Sequence, residues 1–176
     1  MTQQKDKIKQ PPYAILRGGY KYKETLGMRR VTTYCMDIIE SRDVLYVLIR
    51  ADGSGGNIRR INWKDEDLDV FGNFKWPVQM IQDSEGRIFV SDEGDHCVYS
   101  LVDDGEKGYV PIGQTAEAQE SNTKTQKIGE YGSGDGQLDS PSGIAFDSEE
   151  NLLVVDTGNN RVQKFSRDGK FIKTIV

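Results

Sequence analysis

Short apolar runs, none longer than a strand needs, alternate along the chain with clusters of Asp, Gly, Ser and Asn. Leu152-Leu153-Val154-Val155 is continuously apolar, which predicts a strand covered on both faces. Arg161-Val162-Gln163-Lys164-Phe165 mixes polar and apolar positions, as a half-buried strand does. Ahead of them, Gly143-Ile144-Ala145-Phe146-Asp147 reads as a first strand and Asp147-Ser148-Glu149-Glu150-Asn151 as a hairpin turn. Behind them, Ser166-Arg167-Asp168-Gly169 turns the chain into an outer strand, Lys170 to Ile175. No segment carries a 3.6-residue apolar period of useful length, so the pattern predicts an all-β chain.

The four-strand pattern recurs. Residues 77–105 lie over residues 141–169 at a constant offset of 64 without a gap, and 10 of the 29 positions are identical. The shared landmarks are Pro77/Pro141, Asp83/Asp147, Asp92/Asp156, Gly94/Gly158, Val98/Val162 and Asp104-Gly105/Asp168-Gly169. A weaker copy lies upstream, with Glu40-Ser41 and Leu45-Tyr46-Val47 falling 43 residues before Asp83-Ser84 and Ile88-Phe89-Val90. A period near 43 suits a four-stranded propeller blade, and a sandwich would not repeat the whole unit. The excess in the second offset falls in residues 106–126, where Gln114 to Lys124 is almost free of large apolar side chains, which predicts a surface insertion. The expected organisation is a polar basic tail, 1–12, then blades at about 13–69, 70–132 and 133–176.

The run Ile128-Gly129-Glu130-Tyr131-Gly132-Ser133-Gly134-Asp135-Gly136-Gln137-Leu138-Asp139-Ser140-Pro141 through Asp147 resembles the NHL repeat. Its continuation, Val154-Val155-Asp156-Thr157-Gly158-Asn159-Asn160-Arg161-Val162-Gln163-Lys164-Phe165, does so as well. The resemblance implies an NHL-type β-propeller, commonly six-bladed, of which about three blades stand here. Three blades leave two sheet faces uncovered, and each repeat needs a neighbour. Either the chain is a piece of a longer protein, or two copies close a 3 + 3 ring as a homodimer.

Composition bounds the rest. No run approaches the roughly 18 apolar residues of a membrane helix, and Met1 to Pro12 is polar and lysine-rich. No secretory signal is visible, which favours the cytoplasm; the compartment is otherwise open. Cys35 and Cys97 fall in different repeats and read as reduced small hydrophobes. Residues 1–30 carry eight basic side chains against Asp6 and Glu24, about +6, leaving about −11 for the rest of a chain whose net charge is −5. The acidic body would repel phosphate, so nucleic acid is disfavoured as a partner.

Catalytic groups are sparse. His96, the single histidine, occupies the turn slot of Asn160, where a hydrogen-bonding turn residue is the economical reading and a ligand role the alternative. Asp92 and Asp156, at strand ends, are placed to accept turn N–H groups. No zinc-ligand spacing, phosphate loop or calcium loop is present, so the expectation is no metal, no cofactor and no catalytic residue. A distant similarity to the peptide-amidating lyase propeller implies a zinc-binding His after the Pro that opens an inner strand. Val78 and Ser142 stand there instead, while Arg50 resembles that family's active-site arginine.

The expected function is therefore a non-catalytic scaffold that binds a protein or small polar ligand at the propeller mouth. Its candidate residues are Arg50, Asp52, Lys75, Trp76, Glu93, Asp95, His96, Asn159 and Asn160, all on loops or strand ends. The alternative is a lyase or hydrolase of the amidating-lyase-like group, completed by further blades or a second chain.

Overall fold

The computed structural model describes residues 34–41, 43–51, 55–64, 66–103, 109–110 and 126–175. The tail 1–12, Asp52 and most of the 106–126 segment lie outside them. The described strands form three antiparallel sheets in chain order. Blade I comprises β1 (Tyr34–Ser41), β2 (Val44–Ala51), β3 (Gly55–Asn62) and β4 (Asp67–Phe74). Blade II comprises β5 (Pro77–Gln82), β6 (Ile88–Asp92), β7 (Cys97–Asp103), β8 (Tyr109–Val110) and β9 (Gln126–Ile128). Blade III comprises β10 (Pro141–Phe146), β11 (Leu152–Asp156), β12 (Arg161–Phe165) and β13 (Phe171–Thr174).

Each sheet is a meander, every strand pairing with the one before it. Blade II departs at its outer edge, where β9 lies along Val98–Ser100 of β7 and β8 along Val102–Asp103. The segment read as an insertion therefore contributes Tyr109–Val110 to the sheet. The one helical turn among the described residues is the 3-10 turn Thr157–Asn159.

Turn chemistry sets the hairpins. Asp83 Oδ1 accepts the N–H groups of Glu85 and Arg87, and Asp147 Oδ1 does the same for Glu149 and Asn151. The left-handed position of the turn is Gly86 in blade II (φ 89°) and Glu150 in blade III (φ 60°). Glycine takes that conformation without strain and glutamate does not.

The sheets pack face to face. Tyr46, Leu48, Ile58 and Phe71 of blade I close on Met80, Ile88, Val90 and Leu101 of blade II. Phe89 and Val98 on the other side of blade II close on Leu138, Ile144, Val154 and Phe165. Phe89 meets Phe146 edge to face at 5.1 Å. Burial of each such aromatic contributes about 2–3 kcal/mol. The inner strands β1, β5 and β10 are spatial neighbours, so the sheets fan round one axis as blades of a β-propeller.

One expectation needs correcting. β6, sandwiched between blades, is buried throughout, but its counterpart β11 leaves Val155 41% exposed. An apolar run predicts a strand built for two covers. Among the described residues, β11 has only one.

Candidate functional site at the loop end of the blades

The end of β2, the start of β3, the β6–β7 and β11–β12 loops and the two connectors between blades lie at one end of the sheets. Asp92, at the end of β6, organises the first connector. Its carboxylate accepts the N–H groups of Lys75 (2.7 Å) and Trp76 (2.9 Å), then those of Gly94 (2.9 Å) and Asp95 (3.1 Å) in its own turn. A buried carboxylate with four N–H donors is structurally satisfied, which is what its strand-end position predicts. Asp156 repeats the role in blade III, accepting Asp139 N–H (2.6 Å), Arg161 Nε (2.7 Å) and Gln163 Nε2 (3.1 Å).

With the connector held, Trp76 stands 39% exposed at the rim, and the Arg50 guanidinium lies over its ring at 4.4 Å. Among the described residues neither Arg50 nor Lys75 has a carboxylate partner. The Lys75 stem runs over Gly94, where a built Cβ would come within 2.9 Å of Lys75 Cγ. Glu93 donates its N–H to the Trp76 carbonyl at 3.0 Å, tying turn to connector.

A second group surrounds His96. Its backbone is left-handed, φ 52°, as is that of Asn160 (φ 52°) in the corresponding slot. Nδ1 accepts the Ser140 N–H at 3.1 Å and lies 3.2 Å from Asp139 Oδ1. One nitrogen cannot accept from Ser140 and donate to Asp139 together: the first bond needs a bare Nδ1, the second a proton on it. Tyr131, 68% exposed, packs against the imidazole at 4.6 Å with the two rings tilted by 59°. Asp95 accepts the Tyr99 hydroxyl, and this bond with burial raises the Tyr99 pKa far above the phenol range, burial being the larger cause.

The structure thus brings Arg50 to Trp76, Lys75 to the 93–96 turn, and His96 to the second connector. Asn159 is occupied internally, donating to Gly132 O and Asp156, while Asn160 lies exposed on blade III. Tyr131, Asp139 and Ser140 were missed by sequence reasoning. Their contacts with His96 span 35 to 44 positions, and no local pattern signals them. Cys97, buried under this end, has its thiol pushed up to about 12, chiefly by burial, whereas Cys35 is exposed. Among the described residues no group of three or more His, Cys, Asp or Glu could hold a metal, and no helix is long and apolar enough to cross a membrane.

Leu138 to Phe165, the segment that supplies the end of the second connector and three strands of blade III, matches the family model for the NHL repeat. This segment is an NHL repeat. Over 45 residues, 26% of this chain, the sequence is 42% identical to Protein brain tumor of Drosophila melanogaster and 52% identical to Protein lin-41 of Caenorhabditis elegans. The match covers 4% of each of those proteins. Two solved structures share the fold. Over 78% of this chain, a catalytically inactive virginiamycin B lyase from Staphylococcus aureus with quinupristin superposes at TM-score 0.51 and 15% identity. A luciferin-regenerating enzyme superposes over 82% at TM-score 0.59 and 13% identity. The chain spans 40% and 46% of those structures, less than half of either.

Proposed function

We propose that this NHL-repeat propeller segment is a binding module, and that its recognition surface is the loop end built by Arg50, Lys75, Trp76, His96 and Tyr131. The observation that carries this reading is the Arg50–Trp76 pair. A guanidinium stacked on an exposed indole, without a carboxylate partner among the described residues, keeps its in-plane donors available. The nearby carboxylates Asp92, Asp95 and Asp139 already accept hydrogen bonds within the fold. The surface therefore offers donors and aromatic faces on rigid strands, which suits a polypeptide segment or small polar ligand bearing acceptors. Glu93, Asp95, Asn159 and Asn160 complete the proposed rim.

A random peptide display library panned on the immobilised chain tests the reading. Selected peptides should lose at least about tenfold in affinity on Arg50→Ala or Trp76→Ala, the loss of one stacked charged contact. They should bind normally to Lys170→Ala, at the opposite end of blade III. Peptides indifferent to both mouth substitutions would overturn it. Stoichiometric zinc or calcium in the purified protein would instead favour the lyase or hydrolase reading.

A further inference from the structure

The seams between blades share one polar device, and it stops in complementary ways at the two faces that are open among the described residues. A β-bulge in each inner strand brings one residue against the next blade: Asp37 in blade I and Gln79 in blade II. Asp37 Oδ2 accepts the Met80 N–H at 3.1 Å, and Gln79 Oε1 accepts the Ile144 N–H at 2.8 Å. Met80 and Ile144 are equivalent, lying opposite Val90 and Val154 in the register of β5–β6 and β10–β11.

In blade I the equivalent residue is Ile38, opposite Val47, and its N–H is already taken at 2.8 Å by Oδ1 of Asp37 itself. In blade III the bulge position that matches Gln79 is Gly143, which has no side chain to offer. A Cβ there would come within 3.2 Å of Val155 Cγ2, so the position is closely packed as it stands. A blade like II or III brought against blade III would bury an unpaired N–H at Gly143. Blade I brings no such donor.

The faces match in other ways. On blade III a shallow groove of about 270 Å³ is lined by Val155, Thr157, Asn160 and Val162 among others. The corresponding face of blade II seats blade III itself: Ser91 Oγ donates to Ser142 O at 2.6 Å, His96 receives Ser140, and Val98 packs on Leu138. Blade I presents Ile38 and Val70, 53% and 50% exposed, across its own open face. Exposed apolar positions in register on both faces argue for mutual cover.

We propose that blade III of one copy docks on blade I of a second copy, so that two chains close head to tail into one ring. The contact is heterologous and made twice, and neither seam needs the inner-strand latch that blades I–II and II–III use. Closure also brings a second set of mouth residues round the axis. The inference does not depend on what the mouth binds.

Sedimentation or light scattering on the chain tests it. The 19.8 kDa chain should associate to about twice that mass and no further. Val155→Arg and Ile38→Arg, each alone, should raise the dimer dissociation constant at least about 100-fold, the effect of an unpaired charge in an apolar contact. Both positions are exposed, so urea midpoints of the dissociated variants should match. The milder Val155→Ser and Ile38→Ser should each raise it about tenfold. A wild-type chain at single-chain mass up to about 100 µM overturns the proposal. So does association sensitive to only one of the two positions, which marks a face pairing with itself, or growth into open polymers.

Discussion

Blades II and III are built from one sequence pattern and meet different surroundings. In blade II, Phe89 and Ser91 point from β6 into the seam with blade III and are fully buried. Their equivalents on β11, Leu153 and Val155, face the open side, where Val155 is 41% exposed and Leu153 half-buried. On the opposite side of the same strands the two blades agree, since Ile88 and Val90 are as buried as Leu152 and Val154. The repeat makes a strand suited to two neighbours, and the number of neighbours present decides how much that suitability contributes.

Substitutions at equivalent positions break or sharpen this contrast. The largest difference is expected at the aromatic seam. Phe89→Ala should cost about 3–5 kcal/mol of unfolding free energy, by transfer plus cavity. Leu153→Ala, in a Val155→Arg background that keeps the open face uncovered, should cost about 1 kcal/mol. Equal costs by urea titration would mean that the open face is covered after all.

Next comes the polar pair. Ser91→Val strands the Ser142 carbonyl and the Gln79 N–H inside the seam and should cost about 1–3 kcal/mol. Val155→Ser should change single-chain unfolding by no more than about 0.5 kcal/mol, with its effect appearing in self-association. Gln79→Ala removes one acceptor, that of Ile144 N–H, and should cost about 1–2 kcal/mol. Amide exchange should quicken at Ile144 and stay unchanged at Ile38, whose N–H is capped locally.

The smallest effect is electrostatic. Lys164 Nζ, 2.6 Å from Asp147 Oδ2, holds that carboxyl well below the usual carboxylate range, with the turn N–H groups assisting. A depressed folded pKa stabilises above the unfolded value near 4 and is lost as pH falls through the folded one. Lys164→Met should therefore lower the urea midpoint slightly at pH 7. The gap from wild type should narrow below about pH 3, and high salt should shrink it too. A gap that widens in acid would refute the assignment.

Several landmarks were legible because their causes are local. Asp83 and Asp147 accept N–H groups two and four residues ahead, so a strand followed by Asp-Ser-Glu announces a hairpin in isolation. The strand-end carboxylates Asp92 and Asp156 and the left-handed slot of His96 and Asn160 follow from the same short-range chemistry. The loops at the β6–β7 and β11–β12 turns were legible as loops. Their contacts were not legible, because Arg50 on Trp76 and His96 against Tyr131 depend on how adjacent blades are angled.

At the other end of the blades lies the clearest case of what only three dimensions decide. Arg167, in the last hairpin, reaches Asp83 at 3.0 Å across 84 positions, and also pairs with Glu85 and with Glu150 at 2.9 Å. By itself the sequence determined the repeat, its strands and its turns, since those rest on contacts within a few residues. Tertiary structure decided which copies of the same strand are covered and which carboxylates are spent holding the fold. Those outcomes depend on neighbours that the spacing of residues along one strand does not encode.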